Sequence, residues 1–330
     1  MSKDIYTARI AYNNGDLDAM EKIIETVRFG GRELIQFMKS NSENLYIFGA
    51  GILGNEFLQT WKGIYSFHGV IDNDDKKWGN VVGEGIPVIG LQDIEVAKRE
   101  QAAIVIVNKF SHREIKEQLL QSGFSDEHIF NFAEHYLRLN QIQYFDLEIL
   151  DKNKREKFVD CGALDGKTSM YMYEIYKENL EKIWLFEPDM QSARKCRENL
   201  KSMPSEKYEI IEKAVYSTAT QLCFDSTGNG MASIDQNGNT VIDTVSLDEV
   251  IGEGSPSFIK MDIEGAELEA LKGAEKIIRK YKPTLAVCVY HKPEDMVTIP
   301  ELLLKYNPAY RFYLRHYSLT MNETVLYALQ

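Results

Sequence analysis

Hydrophobic positions along this chain follow two periodicities in turn, and their alternation predicts two α/β domains in series. From residue 44, short apolar runs of strand length are separated by stretches with helical spacing: LYIF, FHGVI, IPVIG, AAIVIV and HIFNF. A second series starts at KFVDCG and continues through KIWLFEP, SFIKMDIEG and TLAVCVYH. Strands that alternate with helices are typical of a parallel, doubly wound sheet. We therefore predict an α/β fold with two Rossmann-like doubly wound domains.

Changes in this pattern predict the domain boundaries. Apolar positions in residues 17–38 recur at helical spacing and are interrupted at Gly30-Gly31, which favours two short helices. The last two apolar runs, YRFYLRHYS and ETVLYALQ, are separated only by a short turn, so we expect them to run antiparallel. The predicted segments are a helical leader (1–43), a Rossmann-like nucleotide- or nucleotide-sugar-binding domain (44–135), a helical linker (136–156) and a second α/β domain (157–330).

Composition and charge narrow the range of partners. The net charge is −12 over 330 residues, and no long Lys/Arg run occurs, which disfavours a nucleic acid or an anionic membrane and favours a small-molecule or glycan substrate. We find no secretory signal and no apolar run of the ~18 residues that a membrane span needs, so we expect a cytoplasmic protein. The cysteines and histidines lack metal-ligand spacing, so the sequence predicts no metal site. It gives no oligomeric state.

The strongest chemical signal is KFVDCGALDGKTS, in which an apolar strand ends in Asp160 and a glycine-containing turn opens a helix. Gly162 and Gly166 lack a Cβ atom and can adopt positive φ, so backbone N–H groups can face a bound carboxylate or ribose. Thr168 can donate a further hydrogen bond from the first helical turn. The turn is therefore predicted to bind a small ligand.

A phosphate loop is the alternative interpretation of this turn, because GALDGKT is one residue short of G-x-x-x-x-G-K-[ST]. Cys161 stands where that motif requires glycine. Asp165 would place a carboxylate among nucleotide phosphates, where like charges repel, whereas a positively charged sulfonium ligand tolerates it. The sequence thus disfavours a nucleoside triphosphate site.

Further polar residues follow the later strands of the second domain. Glu187 ends KIWLFEP, the position that binds ribose hydroxyls in dinucleotide folds, although a solvated acid that caps a helix is a common alternative. Asp262 and Glu264 follow SFIKM, where a structural salt-bridge cluster is the alternative, and His291 follows TLAVCVY. Ligands of open parallel sheets bind outside the carboxyl ends of the strands, so we expect these side chains to face one crevice.

The order of these motifs resembles that of the FkbM family of methyltransferases. The resemblance spans residues 157–330 and rests on DCGALDGKTS, FEPD, EKAVY, VSLDEV, FIKMDIEGAELEALKGA, YHKPED and LRHYS…ETVLYAL. It implies a seven-stranded class I methyltransferase sheet with an antiparallel last strand. It also implies S-adenosylmethionine as the cofactor and methylation of a hydroxyl on a sugar, glycan or related metabolite. The DGKT turn departs from the NIGxxS-type turn that is commoner in the family.

The resemblance implies roles for individual residues as well. Methyl transfer to oxygen needs a positioned acceptor and a base for its proton. The candidate bases are His291, Asp262 and Glu264; His316 is a weaker candidate, because its alternation with Phe312 and Leu314 predicts a core-facing side chain. The implied cofactor positions are Asp160, Gly162, Ala163, Asp165, Gly166 and Thr168 at the methionine end, Glu187 at the ribose, Lys213 and Ala214 beside the adenine, and Asp262 near the transferable methyl.

A second glycine motif lies in the N-terminal half. YIFGAGILGNEF fits G-x-G-x-x-G through Gly49, Gly51 and Gly54, and Asp72 ends the next predicted strand, as in a dinucleotide fingerprint. The continuation VIDNDDKKWGNVVGEGIPVIG resembles the N-terminal domain of bacterial sugar acyltransferases, which implies a nucleotide-sugar site. No Tyr-x-x-x-Lys pair accompanies the glycines. The interpretations left open are nucleotide-sugar or glycan binding, a nicotinamide-dependent oxidoreductase, and a catalytically silent scaffold.

Overall fold

The computed structural model describes residues 24–29, 32–61, 63–83, 85–132, 134–135, 143–146, 150–224, 240–318 and 322–330. The strands in chain order are β1 (Ile24–Phe29), β2 (Leu45–Phe48), β3 (Val70–Ile71), β4 (Val81–Val82), β5 (Ile86–Ile89), β6 (Ala103–Ile106), β7 (Ile129–Asn131), β8 (Glu156–Cys161), β9 (Leu180–Phe186), β10 (Tyr208–Ile211), β11 (Ala214–Val215), β12 (Gln221–Phe224), β13 (Thr240–Val245), β14 (Phe258–Met261), β15 (Thr284–Cys288), β16 (Arg311–His316) and β17 (Thr324–Leu329). The α-helices are α1 (Arg32–Ser40), α2 (Ile52–Trp61), α3 (Val96–Arg99), α4 (His112–Gln121), α5 (Lys167–Tyr176), α6 (Met190–Asn199), α7 (Leu247–Val250), α8 (Glu267–Lys272), α9 (Glu275–Tyr281) and α10 (Asp295–Tyr306).

The chain forms two compact units. Among the described residues, the N-terminal unit lies within 29–143 and 316–323, and the C-terminal unit lies within 24–28, 144–315 and 324–330. In the part of the chain that the structure describes, no helix has the length and apolar character needed to cross a bilayer.

The N-terminal unit contains a six-stranded sheet in the order β4-β5-β3-β2-β6-β7. Strands β5, β3, β2, β6 and β7 pair in parallel, and β4 adds to β5 as an antiparallel edge. All four residues of β6 are buried, as expected for a central parallel strand that is covered on both faces. The strands that the apolar runs predicted in this unit are therefore confirmed, and the two-residue strand β4 was not predicted.

The C-terminal unit contains the eight-stranded sheet β1-β16-β17-β15-β14-β8-β9-β10. The pairs joining β10, β9, β8, β14 and β15 are parallel, and the last strand, β17, is antiparallel to β15. The expected mainly parallel sheet with an antiparallel last strand is thus confirmed, but it has eight strands rather than seven because β1 adds beside β16 at its edge. A separate three-stranded sheet, β11-β13-β12, was not predicted.

Two helical predictions are wrong where the structure describes them. Residues Ile24–Phe29, expected within a helical leader, form strand β1 next to β16, while Arg32–Ser40, among the described residues of that leader, is helical as expected. Hydrophobic spacing in short apolar segments does not distinguish a helix from a buried strand. The described residues of the expected linker, 143–146 and 150–155, are turns and irregular backbone. Phe145 packs edge-on against Tyr171 and Phe258, so core packing holds this segment instead.

Candidate functional site

The predicted site residues of the C-terminal unit meet at one edge of its sheet. Strands β8, β9 and β14 are neighbouring and parallel, and Asp160 on β8 stands opposite Lys260 on β14 and Leu185 on β9. Glu187 and Asp262 each follow directly after the end of β9 and β14. The glycine turn and both acids therefore share the carboxyl edge of these strands, where open parallel sheets bind ligands.

The glycine turn packs against the loop after β14. Gly162 and Gly166 have φ of +79° and +76°, the left-handed region that favours glycine. A Cβ atom on Gly162 would lie 2.0 Å from the carbonyl oxygen of Asp262, so a larger residue would push the two loops apart. The turn needs glycine here for close packing as well as for its backbone conformation.

Asp160 supports this turn from inside the protein. Its carboxylate is fully buried and accepts a 2.7 Å hydrogen bond from the Ser169 hydroxyl, while the Lys260 ammonium lies 3.0 Å from its other oxygen. The same ammonium donates to the carbonyl oxygen of Gly162 at 2.6 Å. Burial opposes the charge on Lys260, but Asp160 and Asp262 outweigh it and raise the lysine pKa. We infer that Asp160 acts by fixing the turn, without exposure to a ligand.

Glu187 joins the turn to the end of β9. Its carboxylate accepts hydrogen bonds from the backbone N–H of Leu164 at 2.8 Å and of Asp189 at 2.9 Å. Burial nevertheless raises the pKa of Glu187 to about 7, because desolvation outweighs these two donors. Each carboxylate oxygen keeps a further acceptor site for a ligand hydroxyl.

The other expected cofactor positions lie in the glycine turn, at the start of α5 and after β10. Ala163 is buried in the turn, and Asp165 accepts from the backbone N–H of Lys167, at the start of α5. Thr168 is half-buried on the first turn of α5. Lys213 is exposed and Ala214 begins β11, just beyond β10, whose Ile211 carbonyl accepts from the Glu187 backbone.

Asp262 is held by two tyrosines. The Tyr144 hydroxyl donates to one carboxylate oxygen at 2.7 Å, and the Tyr290 hydroxyl donates to the other at 3.3 Å. Burial would raise the pKa of Asp262, but Lys260, His291 and the Tyr144 hydrogen bond lower it below the ordinary value. Asp262 is therefore a fixed carboxylate at the edge of the sheet.

His291 lies among three carboxylates. Its Nδ1 atom is 2.9 Å from Glu267, and its Nε2 atom is 3.4 Å from Glu264 and 3.6 Å from Asp262. Desolvation would lower the pKa of this imidazole, yet the hydrogen bond and charge of Glu267, with Asp262 and Glu264, raise it to about 9. The structure thus brings together the three residues expected to be bases, and it gives His291 a cationic character at neutral pH.

Sequence reasoning missed several residues of this cluster as functional candidates. Tyr290 directly precedes His291, so the YHKPED motif gave a local signal for it. Glu267 follows the DIEG motif and accepts a hydrogen bond from the backbone N–H of Ile263, four residues earlier. Tyr144 is remote in sequence and had no signal, because its contact with Asp262 exists only after folding.

The weaker base candidate, His316, is only 2% exposed, which confirms the core-facing side chain predicted for it.

The glycine motif of the N-terminal unit has the expected location after β2. Gly49 has φ of +124°, and a Cβ atom on Gly54 would lie 2.0 Å from the carbonyl oxygen of Gly49, which keeps α2 close to the turn. The Asp72 carboxylate accepts from the backbone of Ala50 at 2.8 Å and from the Lys77 ammonium at 3.0 Å. Asp72 therefore already braces the glycine loop, and nucleotide binding by this unit stays a prediction.

Comparisons with known proteins show what the chain is similar to. Residues 160–317 match the methyltransferase FkbM domain. The hexuronic acid methyltransferase AglP of Haloferax volcanii is 29% identical over 127 residues, covering 37% of this chain and 52% of that protein, so the match spans about half of its relative. The crystal structure of methyltransferase FkbM from Methylobacillus flagellatus KT aligns with a TM-score of 0.56 at 19% identity, over 98% of this chain and 99% of that chain. The alignment with the Methylobacillus flagellatus structure shows a shared fold.

Proposed function

We propose that this chain, in which residues 160–317 are a methyltransferase FkbM domain, is an S-adenosylmethionine-dependent O-methyltransferase acting on a sugar, glycan or related metabolite. One observation carries the proposal. The glycine turn at Gly162, the Glu187 carboxylate and the Asp262 loop converge on the carboxyl edge of three adjacent parallel strands. That edge combines a close-packed glycine turn, a ribose-type acid and a cluster of negative charge, which suit an adenosyl sulfonium, although the N–H groups of Gly162, Ala163 and Leu164 are already hydrogen-bonded within the protein.

Each part of the donor has a matching group in this proposal. The methionine end lies against the glycine turn, Glu187 accepts from the ribose hydroxyls, and the Lys213-Ala214 segment borders the adenine. The carboxylates of Asp262 and Glu264 stabilise the positive sulfonium by charge. Asp160 acts as a positioning residue, since the buried pair with Lys260 holds the carbonyl of Gly162.

The main task of the protein in this reaction is to position the acceptor oxygen against the methyl group of the donor. The donor supplies an electrophilic methyl: the bond between sulfur and methyl breaks, its electron pair stays on sulfur as a neutral thioether, and a bond from methyl to the acceptor oxygen forms. The hydroxyl proton must pass to a base, a step that typically contributes ~10²–10⁴-fold. His291, Asp262 and Glu264 are the proposed acceptors, and the pKa of about 9 for His291 favours the two carboxylates at neutral pH.

The sugar-type acceptor is proposed from two sources. The relative in Haloferax volcanii is described as a hexuronic acid methyltransferase. The N-terminal sequence resembles a domain of sugar acyltransferases, and we assign this unit to holding or presenting a nucleotide-sugar or glycan. The net charge of −12 agrees with a partner that is neither a nucleic acid nor an anionic membrane.

The test is incubation of the full chain with methyl-labelled S-adenosylmethionine and a panel of sugars, hexuronic acids and nucleotide-sugars. We expect label on an acceptor oxygen, located by mass spectrometry and NMR. Label found only on nitrogen or carbon overturns the O-methyltransferase assignment. A Gly162→Val variant, whose side chain would collide with the Asp262 loop, is expected to lose transfer, whereas a Glu301→Gln variant, at an exposed position of α10, is expected to keep it.

A further inference from the structure

Asp262, Glu264 and His291 form a compact set of possible metal ligands. One ligand atom from each lies within 4.8 Å of the others, and the Nε2 atom of His291 is 3.6 Å from Asp262 and 3.4 Å from Glu264. Ligand atoms about 2.1 Å from a tetrahedral metal ion are themselves separated by about 3.4 Å. The two spacings from the imidazole therefore suit a shared ion.

The imidazole of His291 is buried without completing a hydrogen bond at Nε2. The side chain is 9% exposed, and none of the described residues hydrogen-bonds this nitrogen. Both nearest carboxylate oxygens lie beyond the usual 2.7–3.2 Å of a hydrogen bond. Because buried polar atoms are normally paired, a nitrogen that lies between two carboxylates is suited to bind a cation together with them.

Glu267 completes the arrangement from behind the histidine. Its fully buried carboxylate lies 2.9 Å from Nδ1 of His291 and is itself fixed by the backbone N–H of Ile263 at 2.9 Å. Histidines that bind metals usually donate their other N–H to a carboxylate, which sets the tautomer and the ring orientation. With Nδ1 held next to Glu267, Nε2 is the nitrogen that can bind an ion, and the ion displaces the proton from it.

The cluster of negative groups also favours a cation, with Lys260 near Asp262 and Lys292 near Asp295 offsetting part of their charge. Asp262, Glu264 and Glu267 surround one imidazole, and the nearby Asp295 is buried with neither carboxylate oxygen hydrogen-bonded by any described residue. Glu264 has φ of +54°, a costly conformation for a residue with a side chain, which the fold retains at this point.

We propose that Asp262, Glu264 and His291 bind one divalent transition-metal ion, with Glu267 as the positioning residue for His291. An imidazole with two carboxylates suits Mn²⁺, Fe²⁺, Co²⁺ or Zn²⁺, whereas Mg²⁺ and Ca²⁺ prefer oxygen ligands alone. Three protein ligands leave a coordination position open for an oxygen of the acceptor. The binding claim is independent of the proposed function, and only this catalytic use rests on it.

In that use, the two carboxylates serve as ligands rather than as bases. A hydroxyl bound to a divalent ion is far more acidic than a free one, so its proton can leave to solvent before the oxygen attacks the methyl. The ion would also hold the acceptor oxygen in place. In this arrangement the ion would lower the pKa of the acceptor hydroxyl, so that no side chain has to act as the base.

Mn²⁺ is the probe for the binding test, because its paramagnetic resonance signal is lost on binding. We titrate the chelator-treated full chain with Mn²⁺ in the absence of donor and acceptor, and we expect one ion per chain. Asp262→Asn, Glu264→Gln and His291→Gln should each weaken binding at least tenfold, and Glu267→Gln by ~10–100-fold through the ring orientation. Glu301→Gln should bind as the wild type does, and thermal melts check that every variant is folded.

Absence of stoichiometric binding to the wild type, or equal affinity in all folded variants, overturns the site. Competition then tests the metal class: Zn²⁺ should displace Mn²⁺ at far lower concentration than Mg²⁺, and equal displacement by Mg²⁺ overturns the transition-metal assignment. In the labelled transfer assay, activity lost with chelator and restored by Mn²⁺ supports the catalytic use. Full transfer under chelator overturns the catalytic use of the ion and leaves the methyltransferase proposal intact. Mn²⁺ binding without any transfer overturns the methyltransferase proposal and leaves the metal site intact.

Discussion

The ammonium of Lys260 lies 3.0 Å from the carboxylate of Asp160, directly opposite it on the neighbouring strand, and both side chains are buried. This ion pair ties the glycine turn to β14 because Lys260 also donates to the carbonyl of Gly162. A charge in this position is stable only with its partner, and so the pair links the stability of the fold to the shape of the site.

Loss of one member of this pair should be costly. We expect Lys260→Met to lower the free energy of unfolding by about 3–5 kcal/mol, because it leaves a buried, uncompensated carboxylate. Asp160→Asn in the same chain should recover part of the loss. Urea unfolding measures both, with the exposed Lys305→Met as the control. An equal loss in single and double variants would show that the charge is not the cause.

The close approach at Gly162 gives a prediction with a matched control. Gly162→Ala and Gly252→Ala both place a side chain at positive φ, which costs about 1–2 kcal/mol, but only the first meets another atom, the Asp262 carbonyl at 2.0 Å. We expect Gly162→Ala to lose more stability and to weaken S-adenosylhomocysteine binding, as measured by calorimetry. Equal effects of the two variants would contradict a packing role for Gly162.

Donor binding should depend on pH through Glu187. Its pKa is raised to about 7 by burial, and only the ionised carboxylate can accept from both ribose hydroxyls. Affinity for S-adenosylhomocysteine should therefore be highest above pH about 7 and fall as the pH drops, by up to about tenfold per unit. Calorimetry from pH 5.5 to 8.5 tests this, and Glu187→Gln should flatten the profile. An unchanged slope in that variant would assign the effect to another group.

A Glu264 variant tests whether the carboxylates at the carboxyl edge of the sheet take part in methyl transfer. We expect Glu264→Gln to reduce kcat by ~10²–10⁴-fold, because the carboxylate is needed either as a base or as a ligand. Its affinity for S-adenosylhomocysteine should stay near the wild-type value. Single-turnover transfer of labelled methyl measures the loss, with Glu301→Gln as the matched exposed control. Wild-type kcat in Glu264→Gln would remove this residue from the mechanism.

Ligand preference of the N-terminal unit separates the remaining interpretations. A ligand at 100 times its Kd adds ~2.7 kcal/mol of stability to the unit that binds it, enough to shift a thermal melt by several degrees. We expect a shift with a nucleotide-sugar and a separate shift with S-adenosylhomocysteine. A shift with NAD and none with S-adenosylhomocysteine would instead favour the oxidoreductase.

The sequence by itself determined the fold class and the edge of the sheet at which the candidate residues meet. Apolar runs fix which segments are strands, and a parallel sheet places every residue that follows a strand on one edge; Glu187, Asp262 and His291 could be found in this way. Gly162 could be found too, because the need for positive φ is local.

Only the tertiary structure decided what those residues contact. Hydrophobic spacing could not show that Ile24–Phe29 is a strand, because its place at the sheet edge depends on β16. Burial makes Asp160 a support for the glycine turn instead of a ligand contact. Three neighbouring carboxylates raise the pKa of His291 to about 9. Tyr144 reaches Asp262 across 118 positions of sequence. Desolvation and long-range contacts are properties of the packed chain, and they set the chemistry that residue identity alone leaves open.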